Sequence, residues 1–368
     1  MEMKRTFGKK LRFTTYGESH GSEIECKIEG FPSGLETSLD YIRAEMRRRR
    51  PGQNYLTTQR REEDEVEILS GVKNRKTDGS LIHLKILNKD VDQRPYNELK
   101  FLPIPWHGDL TKAQKYGWKA VDIGGGRETA LWVAAGAFAK QLLELYNVEI
   151  LAHTLKIAGV QSRISYYQEN LDLDRIGHYL EEREKNLVRC LDGEMAEKME
   201  KVIQEAKGDS VGGRIEVIAK YPAHWRLGEP LSNGLDAVLS KSFQSIPGVG
   251  GVDIGFEGLD ELKGSEAYKG YKIKDGKIIA IKNFCGGIEA GISNGMPIVC
   301  LIKVKPTTSI AIPRKTVYLQ KEEEKTIKIK GRHDSCIVPR AVSVVEAMMA
   351  LTLADYSLIA KYIPKKLV

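Results

Sequence analysis

Cysteine is scarce and unpatterned in this 368-residue chain: Cys26, Cys190, Cys285, Cys300 and Cys336 are odd in number, far apart and include no C-x-x-C pair. That excludes a disulfide-stapled scaffold and a cysteine zinc site, and it fits reduced thiols in a cytoplasmic protein. Long apolar runs are missing as well. The longest low-polarity stretch, Ala130 to Ala139, is about half of what a bilayer span needs. The basic start, MEMKRTFGKKLRF, is followed by no apolar signal-like region, so no membrane partner is expected. Aromatics make up 7% of the chain and do not interleave with its basic run as base-stacking platforms would, so the net charge of +7 does not point to nucleic acid. No 20- to 50-residue repeat and no Ser/Gly/Pro linker divides the sequence, and residues 1–368 read as a single domain. G-x-x-x-x-G-K-[ST], G-x-S-x-G and metal-ligand spacings are all absent, and no strand leads through G-x-G-x-x-G into a helix.

What is present is a mixture of two periodicities. GSEIECKIEG (21–30), Val66 to Leu69, Ile82 to Leu87, Arg214 to Ala219 and Ile298 to Val304 read as strands. Helical stripes run through Leu39, Ile42 and Met46, entered at Thr37 or Ser38 and stopped by Pro51-Gly52, and through Leu131, Ala135, Phe138 and Leu142. Met195 to Ala206 and Ala341 to Ala354 are further helices. Strand hairpins mixed with helices predict a layered α/β or α+β fold.

Five stretches depart from core-and-surface patterning. TTYGESHG (14–21) brackets His20 with glycines, so a tight backbone can present an imidazole; a merely exposed loop histidine would look similar. RRRRPG (47–52) ends a helix, where four arginines spread around the circumference and at most two can converge on one ligand; the rest form a solvated helix end. Residues 105–126 hold His107, Asp109, Lys112 and Lys115, then Gly124, Gly125 and Gly126 before a helix, with Arg127 at its start. Bare backbone N–H groups there suit an anion, although the glycines also serve a tight turn. IPGVGGVDIG (246–255) and the turn KPTTS (305–309) add dense glycine, one cation and three hydroxyls. KGRHDSC (330–336) packs Arg332, His333 and Asp334 before another helix. Together these donors suit a polyanionic small molecule.

In this order, TTYGESHG, RRRPG with TTQRREEDEVEILSGV, KYG, VAAGAFAK, GDSVGG, GISNGMPI, KPTTSI and GRHD-C resemble chorismate synthase, over residues 12 to 355. The resemblance implies a β-α-β sandwich of antiparallel sheets packed with helices, and a homotetramer. It implies anti-1,4-elimination of phosphate and a ring proton from 5-enolpyruvylshikimate 3-phosphate to give chorismate, with reduced FMN and no net redox change. NADPH is implied as one source of reductant. Carried over residue by residue, His20 and His107 match two proton donors, one towards the flavin and one towards the leaving phosphate. Asp334 matches a carboxylate that helps move a proton off flavin N5. Arg49 and Arg332 match positions for nucleotide or flavin phosphate, and Arg127 stands for one or the other arginine of the family's flavin and substrate loop. Lys305, Pro306, Thr307, Thr308 and Ser309 match the flavin-binding turn, with Pro247, Gly248 and Ala290 as further flavin contacts. Where the family reads RPGHAD this chain reads IPWHGD, and its GGGR loop is about four residues short, with Lys112 or Lys115 as substitute cations. The alternative is therefore a degenerate homologue that binds flavin or an anion and turns over poorly.

Overall fold

The computed structural model describes residues 5–58, 60–90, 99–168, 171–274, 276–329 and 333–367. Strands β1 (Thr6–Phe7), β2 (Arg12–Gly17), β3 (Glu23–Glu29), β4 (Val66–Ser70) and β5 (Ile82–Leu87) form an antiparallel sheet in the order β1-β2-β3-β5-β4. A second antiparallel sheet has the order β9-β10-β8-β6-β7, from β6 (Glu149–Ile157), β7 (Val160–Gln161), β8 (Gly213–Lys220), β9 (Val249–Ile254) and β10 (Ile298–Val304). Alternation in sequence becomes alternation in burial: Ile24, Cys26 and Ile28 of β3 all face the interior.

Helices fill the space between the sheets. Helix α1 (Leu39–Arg49) is entered through Ser38, whose side chain accepts the Tyr41 N–H, and it ends just before Arg50-Pro51, where a proline disfavours helical backbone in the residue ahead of it. Helix α2 (Asp109–Tyr116) is short. Helix α3 (Thr129–Glu144) packs on β3 and β5, and α6 (Val338–Ile359) packs on β6 and β8. The two also pack on each other. At their crossing a Cβ on Gly136 would lie 2.4 Å from the Cβ of Ala347, so only glycine permits the approach. Helices α4 (Gly193–Glu205) and α5 (Leu235–Gln244) flank this layer. The result is sheet, helices, sheet, around a hydrophobic core shared by all three layers.

Enclosure between sheets explains why α3 and α6 are apolar nearly all round. Helix α6 is longer than its stripe suggested. Among the described residues it is the one helix long and apolar enough to cross a membrane by length and composition, yet 94% of its apolar window is buried inside the protein.

Candidate active site

One end of the sandwich collects the turns singled out in the sequence. The β2–β3 connection supplies Ser19 and His20, the end of α1 supplies Arg49, and the turn before α2 supplies His107. Gly124 to Arg127 precede α3, Pro247 and Gly248 precede β9, Lys305 to Ser309 follow β10, and His333 and Asp334 precede α6. All line one cavity of about 800 Å³. Both core helices begin at this cavity, so their positive ends face it. Among the described residues its lining carries seven lysines and arginines (Arg49, Arg60, Lys100, Lys112, Arg127, Lys305, Arg340) against four aspartates (Asp90, Asp109, Asp122, Asp334), an excess suited to an anion.

Each expected imidazole is backed by a carboxylate. His20 Nδ1 lies 3.1 Å from Asp122 Oδ1, and His107 Nδ1 lies 2.5 Å from Asp109 Oδ1. The hydrogen bond from His20 holds the Asp122 carboxyl below its ordinary range. Asp334 accepts the Thr58 N–H at 2.8 Å on one oxygen and the Arg340 guanidinium at 2.7 Å on the other. A carboxylate has about four acceptor positions, so two remain for a proton relay.

The 305–309 turn is tied down at both ends. Lys305 donates its N–H to Gly248 O at 2.9 Å and its ammonium to Trp106 O at 2.8 Å. The Thr307 hydroxyl donates to Asp334 O, and the Thr308 carbonyl accepts from Arg314. His333, beside this turn, has its Nε2 buried without a hydrogen-bond partner, and burial lowers its pKa. A buried orphan nitrogen on a cation-rich wall suits a polar ligand.

Of the four consecutive arginines, one reaches the cavity. Arg47 is exposed, Arg48 turns into an ion-pair cluster away from the cavity, and Arg49 is buried. Arg49 donates to Asp64 Oδ2 at 3.0 Å, Gly126 O at 2.5 Å and Thr129 Oγ1 at 3.2 Å. Burial depresses the Arg49 guanidinium to about 9, Arg340 and Arg127 add to the fall and Asp64 opposes it, so Arg49 stays charged at neutral pH. Arg127 donates to the same Asp64 and, at 2.6 Å, to Asn88. Two arginines share one carboxylate, which leaves a net positive charge at the wall.

Some expectations need adjustment. The start of α3 is preceded by buried Glu128, which accepts from Thr15 and lies 3.8 Å from Arg5, so a protein carboxylate already matches that helix end. Lys112 lines the cavity, while Lys115 does not and lies over the Tyr116 ring at 5.2 Å. Ala290 occupies the turn between Ile288–Glu289 and Ile292–Ser293 at φ 49° and does not line the cavity. Arg332 lies outside the described residues. Sequence reasoning overlooked Asp64, together with Asp122, Arg60, Lys100 and Arg340. Asp122 stands two residues before the triple glycine, the one local signal available.

A layered α+β sandwich with a cation-rich cleft, carboxylate-backed imidazoles and a tethered polar turn defines an enzyme that handles a small polyanion by acid–base chemistry. Comparison with known proteins makes the class specific. The sequence profile described as Chorismate synthase matches residues 11–358. The chorismate synthase of Archaeoglobus fulgidus is 46% identical over 98% of this chain and 99% of its own, and that of Methanothermobacter thermautotrophicus is 42% identical over 97% and 94%. A crystal structure of chorismate synthase superposes with a TM-score of 0.73 at 30% identity, covering 96% of this chain and 93% of that one. The chain belongs to the chorismate synthase family, whose members are lyases. These relatives lend no support to a degenerate homologue.

Proposed function

We propose that this chain converts 5-enolpyruvylshikimate 3-phosphate to chorismate by 1,4-elimination of phosphate and one ring proton. The observation that carries this reading is the convergence of His20, His107, Asp334, Arg49, Arg127 and the 305–309 turn on one cavity of about 800 Å³. That volume suits a flavin and a small ring compound together. The substrate brings two carboxylates and a phosphate, and a desolvated multiple anion requires fixed cations. Arg49 and Arg127 are held rigid by Asp64, while Arg60, Lys100, Lys305 and Arg340 come from other segments and make up for the shortened GGGR loop.

The residues that would hold reduced FMN are the 305–309 turn, Pro247, Gly248, His333 and the Arg49–Arg127 wall. When bound, the flavin supplies electron density for breaking the allylic C–O bond and takes it back, so the reaction has no net redox change. The protein's part is orientation and proton handling. One imidazole donates a proton to the leaving phosphate as its negative charge develops, and the other holds a proton on the flavin side. Asp334, anchored by Thr58 and Arg340, accepts a proton from a fixed position.

In this reading NADPH is a source of reductant, and residues 1–368 act as one domain in a homotetramer. Paired Ile273 and Ile278, 78% and 73% exposed on one hairpin, support a surface covered by another subunit. The five free thiols support a reducing, cytoplasmic compartment. The decisive experiment incubates purified protein with photoreduced FMN and the enolpyruvyl substrate without oxygen. Release of one phosphate per chorismate is expected; no phosphate release would refute the reading.

A further inference from the structure

Buried Asp109, half-exposed Asp122 and Lys112 surround the imidazoles. Asp109 is 4% exposed and has both oxygens committed: Oδ1 to His107 Nδ1 at 2.5 Å and Oδ2 to the Ile104 N–H at 3.0 Å. As the first residue of α2 it also sits where the helix dipole favours an anion. Its carboxylate cannot rotate without breaking the 104–107 turn, itself closed by His107 N–H donating to Ile104 O at 3.1 Å. Asp122 holds the other ring through Oδ1, and its carbonyl accepts the Ser19 N–H at 3.2 Å, so the turn bearing His20 is attached twice.

Lys112 connects the two pairs. It lies one helical turn beyond Asp109, and its ammonium donates to Val121 O at 3.2 Å and Ile123 O at 2.6 Å, the carbonyls on either side of Asp122. Burial lowers its pKa, and the charges of Asp109, Asp122 and Glu128 oppose that fall.

A carboxylate only accepts hydrogen bonds, so the ring nitrogen that faces it carries the hydrogen. We infer that Asp109 and Asp122 are positioning residues that fix His107 and His20 as Nδ1–H rings with Nε2 as the working nitrogen, Lys112 holding the two pairs in register. Free imidazole in water prefers the opposite tautomer, so the arrangement is imposed by the protein. It makes both rings exchange protons with the cavity through Nε2, whichever faces phosphate and whichever faces flavin. This rests on the reading of His20 and His107 as proton carriers.

The test is nitrogen NMR of histidine-labelled protein without substrate, with signals assigned from H20Q and H107Q. Both rings of the unmodified protein should show protonated Nδ1 when neutral; an Nε2–H tautomer in either overturns the inference. Asp109→Asn keeps an acceptor for the Ile104 N–H and should return His107 alone to the Nε2–H form, with kcat reduced on the order of 10²-fold and KM little changed. Lys112→Met should move both histidine signals together. Loss of kcat in Asp109→Asn with the His107 tautomer unmoved would assign Asp109 a structural role and overturn the proposal. If Asp109→Asn does not fold, the unmodified protein's tautomers decide. Correct tautomers in a protein that releases no phosphate would instead refute the proposed reaction and leave the positioning intact.

Discussion

Arg48 and Arg49 are adjacent in sequence and lead into two opposite kinds of ionic cluster. Arg48 joins Lys140, Arg183 and Arg189 against Glu45, Glu184 and Glu346, and none of these cations lines the cavity. Glu346 is fully buried and accepts from Arg48 and Lys140 at 2.7 Å each, from Arg183, and from the Ala152 N–H at 3.0 Å, so it joins α1, α3, α6 and β6. Arg49 and Arg127, by contrast, share the single carboxylate Asp64 and both line the cavity. The pKa directions follow. Burial opposes the charge of both arginines; for Arg48 the carboxylates Glu346, Glu45 and Glu184 more than offset it and the pKa rises, whereas for Arg49 it falls to about 9. The cluster with three carboxylates for its four cations fastens layers together, while the one with a single carboxylate for two arginines holds positive charge ready for a ligand.

The largest expected effect lies in the cluster around Glu346. Glu346→Ala should destabilise the protein by about 5 kcal/mol, because several buried cations lose their partner. A urea midpoint that implies less than 1 kcal/mol would show that the cluster does not fasten the layers.

Asp64→Asn should cost about 3 kcal/mol at pH 7, and this cost should depend on pH. Burial acts to raise the Asp64 carboxyl and the two arginines more than offset it, so its folded pKa is depressed. Its contribution is therefore complete above the ordinary Asp value of about 4, and it is lost as pH falls towards the folded value. Melting curves of the two proteins should converge below about pH 4. A constant difference down to acid would place the effect elsewhere.

Arg49→Met should leave Asp64 paired with Arg127 and chiefly weaken ligand binding. Loss of one charged hydrogen-bond donor, about 1.5 to 3 kcal/mol, corresponds to roughly 10- to 150-fold in FMN affinity by fluorescence titration. Unchanged affinity would remove Arg49 from the binding wall. The smallest effect belongs to exposed Arg47: Arg47→Ala should stay within about 0.5 kcal/mol of the parent in stability, with unaltered FMN affinity.

Much of the fold was legible because burial in a half-covered sheet leaves a two-residue alternation, as in Ile24, Cys26 and Ile28. The site was legible as motifs, because bare glycines, cations and histidines in turns serve no packing purpose. Its wiring was not. Helical rotation said that only some of residues 47–50 could converge, and it could not say that Arg49 alone would reach the cavity. Asp64 was hidden among Glu62, Glu63 and Glu65: Glu62 is buried as well, and nothing local marks Asp64, at φ 55°, as the acid that meets Arg49 and Arg127. Helix α6 was read too short because its outer turns are buried by other layers rather than by one stripe.

The sequence alone determined the periodicities, the turns and an ordered motif set that is similar to one enzyme family. These depend on neighbours within a few residues or on residue identity, and both can be read along the chain. Only the tertiary structure decided which charges meet. Asp122 finds His20 across 102 residues and Asp64 finds Arg127 across 63. Such pairings form when two sheets close over two helices and exclude water, which makes an unpaired buried charge costly.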